Sequence, residues 1–250
     1  MRITPEIYVI GGGTTLGFGL SPDPDCHVYL IDGGSELAMI DCGLGTPESC
    51  QKIMDNLRSE GLDPERVTTL ILTHYHMDHA GGAARFRDSL RLRLIAPAGA
   101  APALRAGDET AVALDAAKRA GIYPPDYRFE PVEVDQEVSE GDRLQIGALE
   151  LEVFETPGHC DGHASYLLHG AAHRSLFAGD VVFAGGRVVL QNIHDCHIGR
   201  AAQSVSKLAG LSFDAFFPGH GAIAVTDGAR HVQRAAASFD QLFVPKNLSS

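Results

Sequence analysis

The feature that most constrains the fold is a short apolar strand that ends in a cluster of histidines. Residues 67–72 are β-branched or leucine, carry no charge and follow the turn pair Asp63-Pro64, so they predict a buried β-strand. The next segment, residues 74–79, holds three histidines and an aspartate. Alanines and glycines at 80–84 then allow a helix to begin close to whatever these side chains bind. Polar side chains at the carboxyl end of a buried strand indicate an α/β sheet with a functional site at that edge.

The polar side chains of this segment are of the types that bind metals. Neutral imidazole nitrogen and carboxylate oxygen suit zinc, and iron and manganese accept the same donors. In an irregular turn, residues two apart can converge on one ion. His74 and His76 can therefore share one metal while Asp78 and His79 turn toward another. A lone histidine is usually an ordinary core or surface residue, but that interpretation does not explain this spacing.

The pattern His-x-His-x-Asp-His over residues 74–79 resembles the ligand motif of the metallo-β-lactamase superfamily. The resemblance implies three further metal ligands in a fixed order downstream, and the chain provides each in the expected setting. They are His159 in a Pro-Gly-His turn, Asp180 at a strand end, and His220 after another Pro-Gly pair. All seven positions are therefore filled in order.

The resemblance also implies how these ligands divide between two divalent ions, for which zinc is the expected metal. The implied sets are His74, His76 and His159 for the first ion, Asp78, His79 and His220 for the second, and Asp180 as a bridge. The fold that carries such a site is α/β, a four-layer αβ/βα sandwich with the metals at the edge between its sheets. No linker rich in proline, serine or glycine divides the chain, so residues 1–250 are predicted to form one domain.

The function implied by the resemblance is hydrolysis by a metal-bound hydroxide. Coordination lowers the pKa of water from about 15.7 to about 7, which generates a nucleophile at neutral pH. The substrate class is an ester, thioester or lactone of a small molecule, and Asp78 is expected to pass a proton to the leaving group. Asp180 and the absence of an export signal argue against lactam hydrolysis, because exported lactamases of this fold generally place a cysteine or no bridging carboxylate there.

The resemblance is closer to the glyoxalase II and lactonase branch, although glyoxalase II itself is disfavoured. Only 30 residues follow His220, and the Gly-Cys-Gly-Arg-like segment usual after the bridging aspartate is replaced by residues 183–187. The alternative class is a persulfide-dioxygenase-like oxidoreductase with one iron, held by two histidines and the bridging aspartate. The arginine-containing segment of that group is missing here.

Two polar residues are expected to hold metal ligands in place without binding metal. Asp41 lies in a turn that resembles the aspartate-bearing turn of the family, where a carboxylate holds the distal nitrogen of a ligand histidine. Capping of the turn is the alternative role for it. His163 completes a Pro-Gly-His-x-x-Gly-His turn. Cys160 follows His159, and its side chain is expected to point away from that ligand.

The gap between the first ligand group and His159 predicts a cap over the site. Residues 98–131 form this insertion, with a helix predicted over 108–120, and an ordinary α/β connection is the alternative. The sequence does not assign substrate-binding residues, but it offers candidates from the cap and from the glycine-rich loop 11–24: Arg105, Tyr123, Tyr127, Arg128, Phe18 and Leu20. Within residues 191–197, which match no family signature, His194 and His197 are expected on a surface loop.

Composition limits the partners. A net charge of −12 disfavours nucleic acid, and the basic stretch 85–93 is assigned to a solvated helix face and the next strand. No apolar run approaches the roughly 20 residues that span a bilayer, so a membrane is not an expected partner. Five scattered cysteines and a start without secretory features predict a cytoplasmic protein. A small molecule is the expected partner, and the sequence leaves a homodimer open.

Overall fold

Two β-sheets pack face to face in the computed structural model, which describes residues 1–248. The first sheet follows chain order: β1 (Ile7–Gly11), β2 (Val28–Asp32), β3 (Leu37–Ile40), β4 (Val67–Ile71), β5 (Arg93–Pro97) and β6 (Gln136–Val138). Strands β1 to β3 are antiparallel, and β3 to β6 are parallel. The parallel pairing of β3 with β4 brings the turn after β3 beside the histidine cluster that follows β4.

The second sheet is mostly antiparallel. Its strands are β7 (Arg143–Ile146), β8 (Leu149–Glu155), β9 (Ala164–His169), β10 (Arg174–Gly179) and β11 (Ala215–Pro218). They lie in the order β11-β10-β9-β8-β7, and only β10 with β11 pairs in parallel. The ends of β10 and β11 are therefore neighbours, and the chain leaves both of them toward the same edge.

Helices cover the outer face of each sheet. They are α1 (Pro47–Ser59), α2 (Met77–Ala80), α3 (Ala83–Leu90), α4 (Ala101–Ala106), α5 (Leu114–Arg119), α6 (Ile198–Ala209) and α7 (Ala229–Asp240). Side chains of α1, α3, α4 and α5 join the core on the first sheet, and those of α6 and α7 join the core on the second. The layers confirm the predicted four-layer αβ/βα sandwich.

Side chains alternate in direction along each strand of the first sheet, so the two faces of that sheet belong to different cores. In β2, Val28 and Leu30 face the helices, whereas Tyr29 and Ile31 face the second sheet. Side chains at alternate positions of a strand point to opposite faces, and both faces are buried here. Between the sheets, the Tyr29 hydroxyl donates to the carbonyl of Pro218 at 2.6 Å. This bond ties the end of β11, just before His220, to the first sheet.

The predicted helix over 108–120 is wrong in its first half. Gly107 adopts the left-handed region at φ 60° and ends α4. Asp108 then caps a turn, because its Oδ1 accepts the N–H groups of Thr110 and Ala111 at 3.0 Å each. Helix α5 starts only after Ala113, which also has a positive φ of 56°.

The structure also differs from the sequence pattern at residues 181–190. The pattern predicts strand on both sides of a Gly-Gly turn, but across this turn Phe183 pairs with Arg187 alone, and Val188 pairs with Asn247 instead. Both Gly185 and Gly186 have positive φ, which interrupts any longer ladder. The short strand β6 gives no clear pattern in the sequence. Across residues 1–248, no helix combines the length and apolar character needed to cross a membrane.

Candidate metal centre

The predicted ligands meet at one edge of the sandwich. Four come from the loop and short helix α2 after β4, one from the turn between β8 and β9, one from the end of β10 and one from the loop after β11: His74, His76, Asp78, His79, His159, Asp180 and His220. Each follows a strand whose pairing fixes its place, so residues up to 146 positions apart in the sequence converge.

Three histidines form the first group, defined as His74, His76 and His159. One ring nitrogen from each lies within 4.8 Å of the others, and His76 Nδ1 is 2.9 Å from His159 Nε2. Burial lowers the pKa of His74 well below its usual value and that of His76 to about 3, and it also lowers the pKa of His159. The three rings are therefore neutral at neutral pH, with lone pairs available to a cation.

The second group, defined as Asp78, His79 and His220, is charged. His220 Nε2 lies 3.0 Å from Asp78 Oδ2, and His79 Nε2 lies 3.7 Å from the same oxygen. Burial opposes protonation of both histidines, but the carboxylates of Asp180 and Asp78 outweigh it and raise the pKa of each. Burial would also raise the pKa of Asp78, yet His79 and His220 hold it at about 2. Without a metal, protons neutralise this group.

Asp180 lies between the two groups. Its Oδ1 is 3.3 Å from His79 Nε2, without the geometry of a hydrogen bond. Its Oδ2 is 3.7 Å from His159 Nε2 and 3.7 Å from His220 Nε2. One carboxylate thus reaches a histidine of the first group and two of the second, which is the placement that a bridging ligand needs.

Unpaired buried atoms show that the residues fit a metal. His74 Nε2, His79 Nε2 and Asp180 Oδ1 are buried without a hydrogen-bond partner. Each such atom costs about 1–3 kcal/mol when left unpaired, and a cation at their centre would satisfy all three. Space is also reserved there, because a Cβ on Gly219 would overlap Asp180 Oδ1 and lie 2.6 Å from His79 Cε1.

Asp41 supports both groups from behind. Its Oδ2 accepts from His79 Nδ1 at 2.8 Å and from the Thr73 hydroxyl at 2.8 Å, and its Oδ1 accepts from the Thr73 backbone N–H at 2.7 Å. Because the Thr73 hydroxyl donates to Asp41, it accepts from His74 Nδ1, 2.9 Å away. These bonds place the Nδ1 proton of each ring away from the centre, so Nε2 is the nitrogen that each histidine would offer to a metal. Asp41 therefore lies where the sequence predicts a supporting carboxylate.

His163 holds the backbone of Asp180. Its Nε2 accepts the N–H of Asp180 at 3.0 Å, so its Nδ1 carries the proton and donates to the Thr156 hydroxyl at 2.8 Å. Burial lowers the pKa of His163 well below its usual value, so the ring stays neutral. With both nitrogens used, it orients Asp180 and has no nitrogen left for a metal.

Two cavities flank the centre and meet at Asp78. The larger, of about 550 Å³, lies between His76, Asp78 and helix α5. The smaller, of about 330 Å³, lies between Asp78, Asp180, His220 and the loop at residues 15–25. Leu16 of this loop lines the smaller cavity. The candidate residues Phe18 and Leu20 do not: Phe18 stacks on His27, and Leu20 packs against the core between the sheets.

Only one of the four cap candidates reaches the centre. Tyr123 donates to Asp78 Oδ1 at 3.3 Å. Tyr127 donates instead to the Leu44 carbonyl at 2.7 Å, Arg105 pairs with Glu137 at 2.6 Å, and Arg128 bonds to backbone carbonyls of its own loop. Tyr127 and Arg105 therefore hold residues 98–131 against the rest of the protein, whereas Arg128 bonds only within its own loop.

Sequence reasoning missed Asp195. Its neighbours His194 and His197 have side chains that are 57% and 45% exposed, as expected for a surface loop. Asp195 itself is only 1% exposed, and its Oδ2 accepts a hydrogen bond from the Tyr75 hydroxyl. Its Oδ1 is buried without a hydrogen-bond partner. No local pattern distinguishes this aspartate, because its partner lies 120 positions earlier in the chain.

The family model of the metallo-β-lactamase superfamily matches residues 22–220, and the chain belongs to that family. Solved structures agree on the fold. A metallo-β-lactamase from Cronobacter sakazakii superposes with a TM-score of 0.74 at 22% identity over 97% of this chain and 96% of its own. The di-zinc class B3 enzyme LRA-12 from an Alaskan soil metagenome gives 0.72 at 19% identity over 96% and 91%.

The curated relatives include two thioesterases and a hydroxyacylglutathione hydrolase. An acyl-coenzyme A thioesterase MBLAC2 from Gallus gallus is 30% identical over 65% of this chain and 59% of its own length. An atrochrysone carboxyl ACP thioesterase from Aspergillus fumigatus is 25% identical over 88% and 59%. A hydroxyacylglutathione hydrolase from Rhodopseudomonas palustris is 34% identical over 63% and 48%. The chain thus spans about half to three fifths of the length of these relatives.

Proposed function

We propose that this chain is a dinuclear metal-dependent hydrolase that cleaves a thioester or a related ester bond of a small molecule. The observation that carries the proposal is the convergence of the two ligand groups on a centre whose buried nitrogen and oxygen atoms lack partners. Divalent ions bound there, with zinc as the proposed metal, supply an activated water and polarise the scissile carbonyl. The thioesterase names of two relatives and the hydrolase name of a third support the substrate class.

In this proposal Asp78 carries the proton. It lies where the two cavities meet, and its low pKa keeps it ionised. The water oxygen forms a bond to the acyl carbon, the bond to the leaving sulfur or oxygen breaks, and Asp78 transfers a water proton to the leaving atom. Tyr123, which donates to Asp78 Oδ1, keeps the carboxylate turned toward the larger cavity.

The residues that line the cavities favour a substrate that is uncharged near its reacting bond. Among the described residues, no lysine or arginine lines either cavity, and Asp23, Asp25 and Asp78 line the smaller one. The two carboxylates of a glutathione thioester would meet these acidic side chains without a lysine or arginine to pair with. A neutral thiol or alcohol leaving group fits better, as does a lactone, and we propose the cytoplasm as the site of the reaction.

Thiol release from a set of small thioesters tests the proposal. We expect the zinc-loaded protein to hydrolyse an acyl-pantetheine thioester, and Asp180→Ala to lose nearly all of this activity. The matched control is Asp161→Ala, an exposed aspartate that pairs with Arg200 outside the centre and should leave turnover unchanged. Near-normal turnover by Asp180→Ala, or oxygen consumption with a persulfide by protein that holds one iron, would contradict the proposal.

A further inference from the structure

Four alanines line one side of the larger cavity. Ala113, Ala116, Ala117 and Ala120 line it from helix α5 and its two ends. Ala120 follows Ala116 by four positions and Ala117 by three, so these three share one face of the helix, and Ala113 lines the cavity from the turn before it. Because methyl groups fill so little of the space before them, this face leaves a groove where larger residues would have closed the structure.

The other faces of α5 are occupied. Leu114 packs into the core on the first sheet as well as lining the cavity, Lys118 pairs with Glu109 at 2.6 Å, and Arg119 pairs with Asp115 at 2.8 Å. The helix is therefore held in place by its remaining side chains, and the alanine face turns toward the cavity.

The rest of the wall is apolar as far as the metal ligands. Its apolar members outside α5 are Pro24, Met77, Val112, Ile122 and Ile193. His76 and Asp78 stand at one end, and Tyr123, Gln191 and Asn192 add uncharged polar groups. A volume of about 550 Å³ lies within the range of cavities that hold small ligands.

We propose that this cavity binds the acyl chain of the substrate, which is apolar and unbranched or lightly branched. This inference rests on the proposed function and specifies which part of the substrate enters which cavity. The scissile carbonyl lies beside Asp78, the chain runs along the alanine face, and the leaving group extends toward the smaller cavity. An apolar chain matches the wall chemically, whereas a charged chain would lose its hydration without gaining a partner.

A series of thioesters of one thiol with increasing acyl length measures the effect in the metal-loaded protein. Each methylene moved from water into an apolar cavity strengthens binding by about fourfold, so kcat/KM should rise with chain length and level off when the cavity is full. Ala116→Leu places a larger side chain on the groove. We expect it to reduce kcat/KM for the longer chains by about tenfold and to leave the acetyl thioester within about twofold.

Ala106→Leu is the matched control, because Ala106 is exposed at the end of α4 and does not line the cavity. Its profile should follow that of the unchanged protein. A flat chain-length profile in the unchanged protein would overturn the proposal. So would an Ala116→Leu variant that loses short and long substrates equally.

A binding measurement separates this inference from the proposed function. Non-hydrolysable acyl thioethers of the same lengths are titrated by calorimetry. If binding tightens with length in the unchanged protein and not in Ala116→Leu, while no thioester is cleaved, the acyl cavity stands and the hydrolase proposal fails. If thioesters are cleaved and binding is independent of length, the hydrolase proposal stands and the acyl cavity fails.

A second observation concerns Asp195. His76 turns Nδ1 toward His159, and its Nε2 is buried without a hydrogen-bond partner. A ring nitrogen of His76, the Cys160 thiol and a carboxylate oxygen of Asp195 lie within 4.8 Å of one another. Asp195 Oδ2 is held by the Tyr75 hydroxyl, and its unpaired Oδ1 has only His194 Nδ1 at 3.9 Å, beyond hydrogen-bond distance.

We infer that Asp195 is a positioning residue that receives the Nε2 proton of His76. The Tyr75 bond leaves one oxygen of the carboxylate without a hydrogen bond, and a ring nitrogen of His76 lies within 4.8 Å of the carboxylate, so a small movement on metal binding would join the two. Such a bond would fix the tautomer of His76 with its Nδ1 lone pair toward the first metal, as carboxylates behind ligand histidines do. Asp195 would thus serve His76 as Asp41 serves His79.

Chelator competition tests this inference in the fully metal-loaded protein. Asp195→Asn should weaken one of the two metals by about 10–100-fold, leave the other unchanged, and shift the visible absorption of the cobalt-substituted protein. Tyr75→Phe should show the same selectivity with a smaller loss, because it frees the carboxylate without removing it. Asp161→Asn, at an exposed aspartate, is the control. Unchanged affinity for both metals, or equal weakening of both, would overturn the inference.

Discussion

The two ligand groups would hold their ions by different electrostatics. The first group is three neutral histidines, whose pKa values are lowered by burial. The second pairs two histidines with Asp78 and Asp180, and these carboxylates raise the histidine pKa values. A cation in the first group would keep most of its charge, whereas one in the second would be largely neutralised. The difference indicates that an ion in the first group would be the stronger electrophile. An ion in the second group would compete with protons for its ligands.

Replacement of Asp180 is expected to have the largest effect on the two groups, because this residue contacts both of them. We expect Asp180→Ala to lower kcat/KM by about 10³-fold or more and to reduce the metal content from two ions to one. The ion that remains should be the one in the first group, whose three histidines are intact. Elemental analysis after gel filtration gives the count, and retention of two ions would show that the carboxylate does not bridge.

Asp41→Asn should weaken metal binding by the two groups unequally. The carboxylate bonds His79 directly but reaches His74 only through Thr73. We expect the affinity of the second metal to fall by about 10–100-fold and that of the first to change less. Asparagine accepts the positive φ of 59° at this position, so the turn is preserved. Stepwise chelator titration measures both affinities, and equal losses would contradict the separation.

Acidification should release the second metal first. Binding there displaces protons from His79 and His220, whose pKa values are raised, so affinity falls as pH falls through those values. In the first group the histidines are already neutral, and no proton is displaced near neutral pH. Metal content measured between pH 8 and pH 5 should pass through a one-metal plateau. Release of both ions together would show that the groups are not electrostatically distinct.

Much of the centre could be predicted because its signals are local. Residues 74–79 follow a recognisable strand, and the other three ligands lie in short turns of the same chain. The residues that hold the ligands in place could be predicted only where a motif contains them, as for Asp41 and His163. Asp195 and the alanine face of α5 could not, because their roles depend on which elements the fold packs beside them. A helix shows which residues share a face, but not what that face meets.

His27 is a buried histidine outside both groups, and it shows what burial does to the pKa of a histidine in this fold. Burial lowers its pKa to about 4, and its Nε2 donates to the Gly221 carbonyl at 2.8 Å. The unfolded chain binds this proton from about pH 6.5 downward, so the folded protein loses stability as pH falls from there toward 4. His27→Gln keeps a donor and removes the titration.

In metal-free protein, we expect the unfolding free energy of His27→Gln to depend less steeply on pH, by up to about 1.4 kcal/mol per pH unit. Urea titrations at pH 6.5, 5.5 and 4.5 measure the two slopes. Parallel slopes would show that His27 is not held neutral by the fold.

Cys160→Ala should have the smallest effect. The thiol is buried, burial raises its pKa well above the usual value, and it lies beside His76 and Asp195 without being one of the seven ligands. We expect metal content to be unchanged, kcat/KM to stay within about twofold, and stability to fall by about 1 kcal/mol for the small cavity left behind. Loss of one metal from this variant would make the thiol a ligand of the first group.

Metal identity and stoichiometry, on protein purified without added metal, test the central claim most directly. The two ligand groups predict two divalent ions per chain, with zinc as the metal and Asp180 shared between them. Two zinc ions per unchanged chain and one per Asp180→Ala chain would agree with that arrangement. A single tightly bound iron, with the same content in the variant, would contradict it.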